Sequence, residues 1–184
     1  MRFFSQLIAF AAAAATVSAN TMKWVNLDGN TRTLYFTASA GLEEIEPLTI
    51  EGYQEATTSF PQGWIGNVFS VTEGNPVVTG MLAELTFQGW MGYTYFDVSA
   101  IVNPLDHEGV HLMYPASVAE TENKTPYSGC EEFPCNTAYY APNDVQTVVT
   151  EEVDLITTLG SKPNVTTRDV EMQLVARKYV EGKL

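Results

Sequence analysis

Two histidines stand four residues apart in Asp106-His107-Glu108-Gly109-Val110-His111, with carboxylates beside them. On one helical face, that spacing plus a carboxylate would suit zinc. The order is not the His-Glu-x-x-His of zinc proteases, and Gly109 weakens any helix through it. A pair of surface histidines is therefore the favoured reading, and no metal or other cofactor is assigned. Glu84 lies between Ala83 and Leu85, and Asp97 between Phe96 and Val98. Glycoside hydrolysis needs two carboxyls, one kept protonated as general acid and one ionised as base or nucleophile. A carboxylate among apolar neighbours in a β-run either faces solvent on the strand's polar side or lies in a cleft, and alternation alone accounts for Glu84. Trp64, Trp90, Tyr93, Tyr95, Tyr139 and Tyr140 could stack on sugar rings. Of these, Trp64 and Tyr95 read as core residues, while Trp90, between Gly89 and Gly92, reads as the most exposed.

The elements that must position these groups are short and β-prone. Runs at 22–27, 31–38, 47–52, 64–72, 81–87, 93–102 and 145–159 are separated by turn residues, with Asp28-Gly29-Asn30 reading as a hairpin turn between the first two. Residues 103–115 read as a structured loop with a short helical turn, and 116–144 as a loop held by a disulfide. The expected fold is mostly β, a sandwich or barrel. Cys130 and Cys135, the only cysteines, are expected to pair, and the short loop they close limits the gain to at most about 3 kcal/mol. No nucleophile motif, phosphate loop or dinucleotide fingerprint is present.

The ends of the chain differ from its body. Arg2, the apolar run from Phe3 to Ala15 and the small residues Val17-Ser18-Ala19 make residues 1–19 an expected secretory signal peptide. That run is shorter than the roughly 20 apolar residues needed to span a bilayer, so no membrane role is assigned. Residues 20–160 form the expected single domain. Three cations stand there against nineteen carboxylates, giving −16. Such a field repels phosphate backbones, which speaks against nucleic acid as a partner and favours neutral or cationic ones, polysaccharides included. Residues 161–184 carry five of the chain's nine cations, and Val170, Leu174, Val175, Tyr179 and Val180 make a loose stripe for a helix after Thr167. A docking helix and a frayed appendage are both open readings of this tail. Asn123-Lys124-Thr125 and Asn164-Val165-Thr166 are N-glycosylation acceptors in a eukaryotic host, placing Asn123 and Asn164 on the surface.

Three strings occur in order: Met81-Leu82-Ala83-Glu84-Leu85-Thr86-Phe87, Tyr95-Phe96-Asp97-Val98-Ser99, and the run from Cys135 to Asp144 with its Ala138-Tyr139-Tyr140. Together they resemble thaumatin-like proteins. The stretch 31–160 is also similar to a group of small fungal secreted proteins, some of which carry a deoxyribonuclease label. The resemblance implies a thaumatin-like antiparallel β-sandwich with an acidic cleft that binds, and sometimes weakly cleaves, β-1,3-glucan. It makes Glu84 the cleft glutamate and Asp97 the cleft aspartate. Ordinary family members have many more cysteines and a Thr-Gly-Asp-Cys segment that this chain lacks, so the other cleft positions have no counterpart here.

The leading expectation is a monomeric, extracellular or cell-wall protein. It binds polysaccharide of the β-1,3-glucan class at Trp90, Tyr93 and Tyr139, with Glu84 and Asp97 as the pair that would serve a weak endo-β-1,3-glucanase. The alternative is a non-enzymatic secreted effector or antigen that binds a host protein, its acidity serving solubility. A metal-dependent nuclease at His107 ranks last, on charge.

Overall fold

The computed structural model describes residues 19–122 and 124–161. The expected signal peptide up to residue 18, the acceptors Asn123 and Asn164, and the tail with its expected helix from residue 162 onward lie outside the described residues. Eleven strands appear: β1 Asn20–Asn26, β2 Arg32–Ala38, β3 Leu48–Ile50, β4 Glu55–Phe60, β5 Ile65–Thr72, β6 Leu82–Thr86, β7 Thr94–Ser99, β8 Val110–Pro115, β9 Ser128–Gly129, β10 Val148–Thr150 and β11 Asp154–Leu159. Helix among the described residues is confined to 3-10 turns at Trp90–Gly92 and Ala116–Val118, and none is long and apolar enough to cross a membrane.

These strands form two sheets. One has five strands in the order β4-β1-β11-β8-β9; the other has six, in the order β10-β7-β6-β5-β2-β3. The mostly β, sandwich-like expectation is met. In β1 and β2, Met22, Trp24, Leu34 and Phe36 turn inward while Thr21, Lys23, Thr33 and Tyr35 do not, the period-two pattern of a half-buried strand. Trp24, Phe36, Phe60, Trp64 and Phe87 make the aromatic centre, with ring centroids 4.9–6.0 Å apart. The indole N–H groups donate to Thr58 Oγ1 from Trp24 and to the Glu43 carbonyl from Trp64, both at 3.0 Å.

Several sequence expectations are corrected. The sandwich is not wholly antiparallel, since β1 and β11 pair in parallel at the middle of the five-stranded sheet. Parallel neighbours need a long crossover, and here nearly the whole intervening chain supplies it. Asp28-Gly29-Asn30 is no hairpin turn, because β1 and β2 belong to different sheets. Asp28 Oδ1 accepts the Asn30 N–H at 2.9 Å and both Asp28 oxygens take the Arg32 guanidinium, so the turn carries the chain from one layer to the other. The expected loop 103–115 contains β8, every residue of which is buried. A strand buried on both faces shows no alternation. A bulge opposite Thr157–Leu159 further shifts β8, and the Thr158 hydroxyl accepts the Leu112 N–H that the ladder leaves over. The expected run 145–159 divides into β10 and β11, one in each sheet, and β4 lay outside every expected run.

Cys130 and Cys135 form the disulfide, their Cα atoms 5.7 Å apart. Gly129 precedes it at φ +93°, pressed so closely on β8 that a Cβ would lie 1.9 Å from the His111 carbonyl oxygen. Only glycine satisfies both demands.

Candidate functional site

Strands β5, β6 and β7 pair antiparallel with Asn67 opposite Glu84 and Glu84 opposite Asp97. Ala83, Leu85, Phe96 and Val98 point into the core, so Glu84 and Asp97 share the outer face of the six-stranded sheet. Two carboxyls distant in sequence thus become direct cross-strand neighbours. They floor a groove of about 330 Å³ whose walls include Asn67, Ile65, Thr86, Tyr95 and Thr147.

Asp97 is buried and Glu84 half-buried. The Thr147 hydroxyl donates to Asp97 Oδ2 at 3.2 Å. That commits the Thr147 proton, so the Tyr139 hydroxyl, 2.8 Å away, donates to Thr147 Oγ1 and in turn accepts the Thr147 N–H at 3.2 Å. Asp97 Oδ1, buried in the groove floor, has no donor among the described residues. Glu84 is its direct cross-strand neighbour on the same face. Burial, then the Glu84 charge, push the Asp97 carboxyl up to about 7, against the lowering effect of the Thr147 bond.

The remaining sequence candidates are dispersed. Tyr139 reaches the pair through Thr147, whereas Trp90 and Tyr93 sit at the β6–β7 connection, outside the groove lining. Trp90 is 76% exposed, in keeping with its expected exposure, and its carbonyl accepts the Tyr95 hydroxyl at 3.1 Å. Trp64 is a core residue as expected. Tyr95 is not: it is half-buried and lines the groove, because its parity on β7 matches Asp97 rather than Phe96. Sequence reasoning passed over Asn67, Thr86 and Thr147. Asn67 and Thr86 had a usable signal in their alternation with core residues on β5 and β6, but Thr147 had none.

His107 and His111 do not form a metal centre, and among the described residues no cluster of three or more ligating side chains occurs. Both rings pack on Phe133, with centroids 5.8 and 5.1 Å from it, and His111 Nε2 meets the His107 carbonyl at 2.9 Å. Asp106 turns inward on its own loop, accepting the N–H groups of Met81, Glu108 and Gly109. These residues flank a broader depression of about 900 Å³ over the five-stranded sheet.

No protein-family model matches the chain. It is 50% identical over 135 residues, 73% of its own length and 90% of the relative's, to the antigenic protein SchS21 of Stachybotrys chartarum. Among solved structures, the protein elicitor MoHrip2 from Magnaporthe oryzae superposes with a TM-score of 0.50 at 16% identity, covering 78% of this chain and 100% of that one. At that identity the likeness concerns the fold alone.

Proposed function

This chain belongs to the family of the antigenic protein SchS21, and from that premise we propose that it is a secreted, non-enzymatic effector or antigen. It binds a host protein through the outer face of its six-stranded sheet. The observation that carries this reading is that Glu84 stands directly opposite Asp97 on the neighbouring strand. A retaining glycosidase holds its carboxyls about 5–5.5 Å apart and an inverting one about 6.5–9.5 Å, with the scissile bond between them. Glu84 and Asp97 stand side by side on one face, as neighbours in the groove floor, rather than across it with a scissile bond between them. They make instead a compact acidic contact point. Export accords with the expected signal peptide and with the disulfide, a bond that persists in oxidising compartments.

A second reading rests on Tyr95, whose ring lines the groove beside the pair: a compact thaumatin-like domain that holds β-1,3-glucan without cutting it. The two separate in one experiment. The secreted chain is applied to intact host cells, to the same cells after protease shaving, and to insoluble β-1,3-glucan. Binding lost on shaving, with no retention on glucan, is the expected result. Binding that survives shaving, or glucan retention at both low and high salt, overturns the host-protein reading. Release of reducing sugar from laminarin overturns the non-enzymatic one.

A further inference from the structure

Resting on the reading that this sheet face meets a partner protein, we propose that the Glu84–Asp97 groove receives one lysine side chain of that partner, its ammonium donating to the Asp97 oxygen that has no donor among the described residues. Asp97 Oδ1 is the first reason. It is an acceptor on a residue only 9% exposed, it has no donor among the described residues, and it lies in the groove floor. A buried acceptor without a donor is costly, and a ligand that supplies one recovers the loss. Charge is the second reason. The groove residues that ionise are Glu84, Asp97 and Tyr95, with Tyr139 one hydrogen bond further back, so no cation among the described residues lines it.

The form of the cation follows from the hydrogen bonds. Asp97 Oδ2 already accepts from Thr147, and Asp97, Glu84 and Asn67 stand on three neighbouring strands, so the acceptors are spread across the groove rather than paired on one carboxylate edge. A compact ammonium with three donors needs no such edge, and can meet Asp97 Oδ1, Glu84 and the Asn67 amide oxygen together. The aliphatic stem lies against Ile65, 42% exposed, and the Tyr95 ring. A volume of about 330 Å³ is at the small end for ligand sites and suits a single side chain. The balance is simple: the ammonium enters with its protons, and the Asp97 carboxyl, pushed up to about 7 by burial and the Glu84 charge, gives its proton to solvent as the ammonium binds. Lysine binding therefore tightens as pH rises. A neutral sugar hydroxyl neutralises neither carboxyl and releases no proton.

The test is an amide-resonance titration of the isotope-labelled secreted chain with Nα-acetyl-lysine amide, its norleucine analogue and laminaritriose, from pH 5 to 8. The lysine probe is expected to shift Glu84, Asp97 and Thr147 resonances with a dissociation constant on the order of millimolar at pH 8. Affinity should fall by up to about tenfold per pH unit below 7. The norleucine analogue should do nothing. Glu84→Gln, at a half-buried position that tolerates the amide, should weaken the probe about tenfold, and the dispersion of its other resonances reports that it is folded. The proposal is overturned by no saturable shift, by equal binding of norleucine, by tighter binding at low pH, or by laminaritriose moving these resonances instead. If the lysine probe is silent while protease-sensitive cell binding persists, this proposal fails and the host-protein reading stands. If the probe binds and the cells do not, the reverse holds.

Discussion

Asp28 and Asp97 are carboxylates withdrawn from water, and their surroundings treat them in opposite ways. Asp28 faces Arg32, whose side chain is fully buried and hydrogen-bonded at each of its three nitrogens. Its Nη1 donates to Asn26 Oδ1 and Asp28 Oδ1 at 2.6 Å, its Nη2 to Asp28 Oδ2 at 2.8 Å, and its Nε to the Glu108 carbonyl at 3.1 Å. Burial alone would raise the Asp28 carboxyl, but the Arg32 bonds and charge, with backbone donors from Asn30 and Ser161, hold it below the usual carboxylate range. Asp97 faces another carboxyl and has one oxygen without a donor. The first site is closed on itself and joins β1 to β2. The second is left unfinished by the described residues, which is why it reads as the place that meets something else.

The largest effect expected is at the closed site. Arg32→Leu leaves Asp28 and Asn26 without their buried donor and should cost about 3–5 kcal/mol in urea unfolding. A loss under about 1 kcal/mol would mean that the pair is not what joins the layers there.

The second prediction uses pH. The folded value of Asp97, about 7, is above the ordinary 3.8, so its contribution is fully present below about pH 4 and is lost as pH rises toward 7. That loss is on the order of 4 kcal/mol and belongs to the coupled pair. The difference in unfolding free energy between the native chain and Asp97→Asn should change across this window and be flat above it. Asp28 behaves in the opposite sense. Its folded value is lowered, so its contribution is present above its unfolded value and disappears as pH falls through the folded one. A difference curve that is flat from pH 4 to 7 would erase the contrast between the sites.

Gly160 sharpens the comparison from the backbone. It adopts φ +71°, and a Cβ there would lie 2.2 Å from Asp28 Oδ2 and 2.7 Å from Arg32 Nη2. Gly160→Ala should cost about 2 kcal/mol, read by thermal unfolding, because both the strained backbone and the displaced ion pair oppose it. The smallest effects are expected in the groove itself and are read by carboxyl resonances. Glu84→Gln removes the neighbouring charge and should lower the Asp97 titration midpoint, whereas Thr147→Val removes a donor to the ionised form and should raise it. Shifts of the same sign in both variants would break the assignment.

Alternation made β1 and β2 legible, since Trp24, Leu34 and Phe36 recur at every second position with polar residues between them. β8 was hidden because burial on both faces removes the alternation that sequence reading depends on. The split of 145–159 was hidden as well, because β10 and β11 are equally β-prone and only their pairing sends them to different sheets. Tyr95 and Trp64 looked alike as aromatics in β-runs. The parity of each strand sent one to the groove and the other to the core.

By itself the sequence determined a mostly β chain with a strongly acidic body, one cysteine pair, and two carboxylates set among apolar residues. Local composition and period-two spacing are enough for that. Only the tertiary structure decided that Glu84 stands opposite Asp97, that Thr147 donates to the pair, and that Arg32 closes on Asp28. Register between strands is set by which faces bury together across the whole sheet, and a slip of one residue would turn Glu84 inward. No short stretch of sequence carries that information.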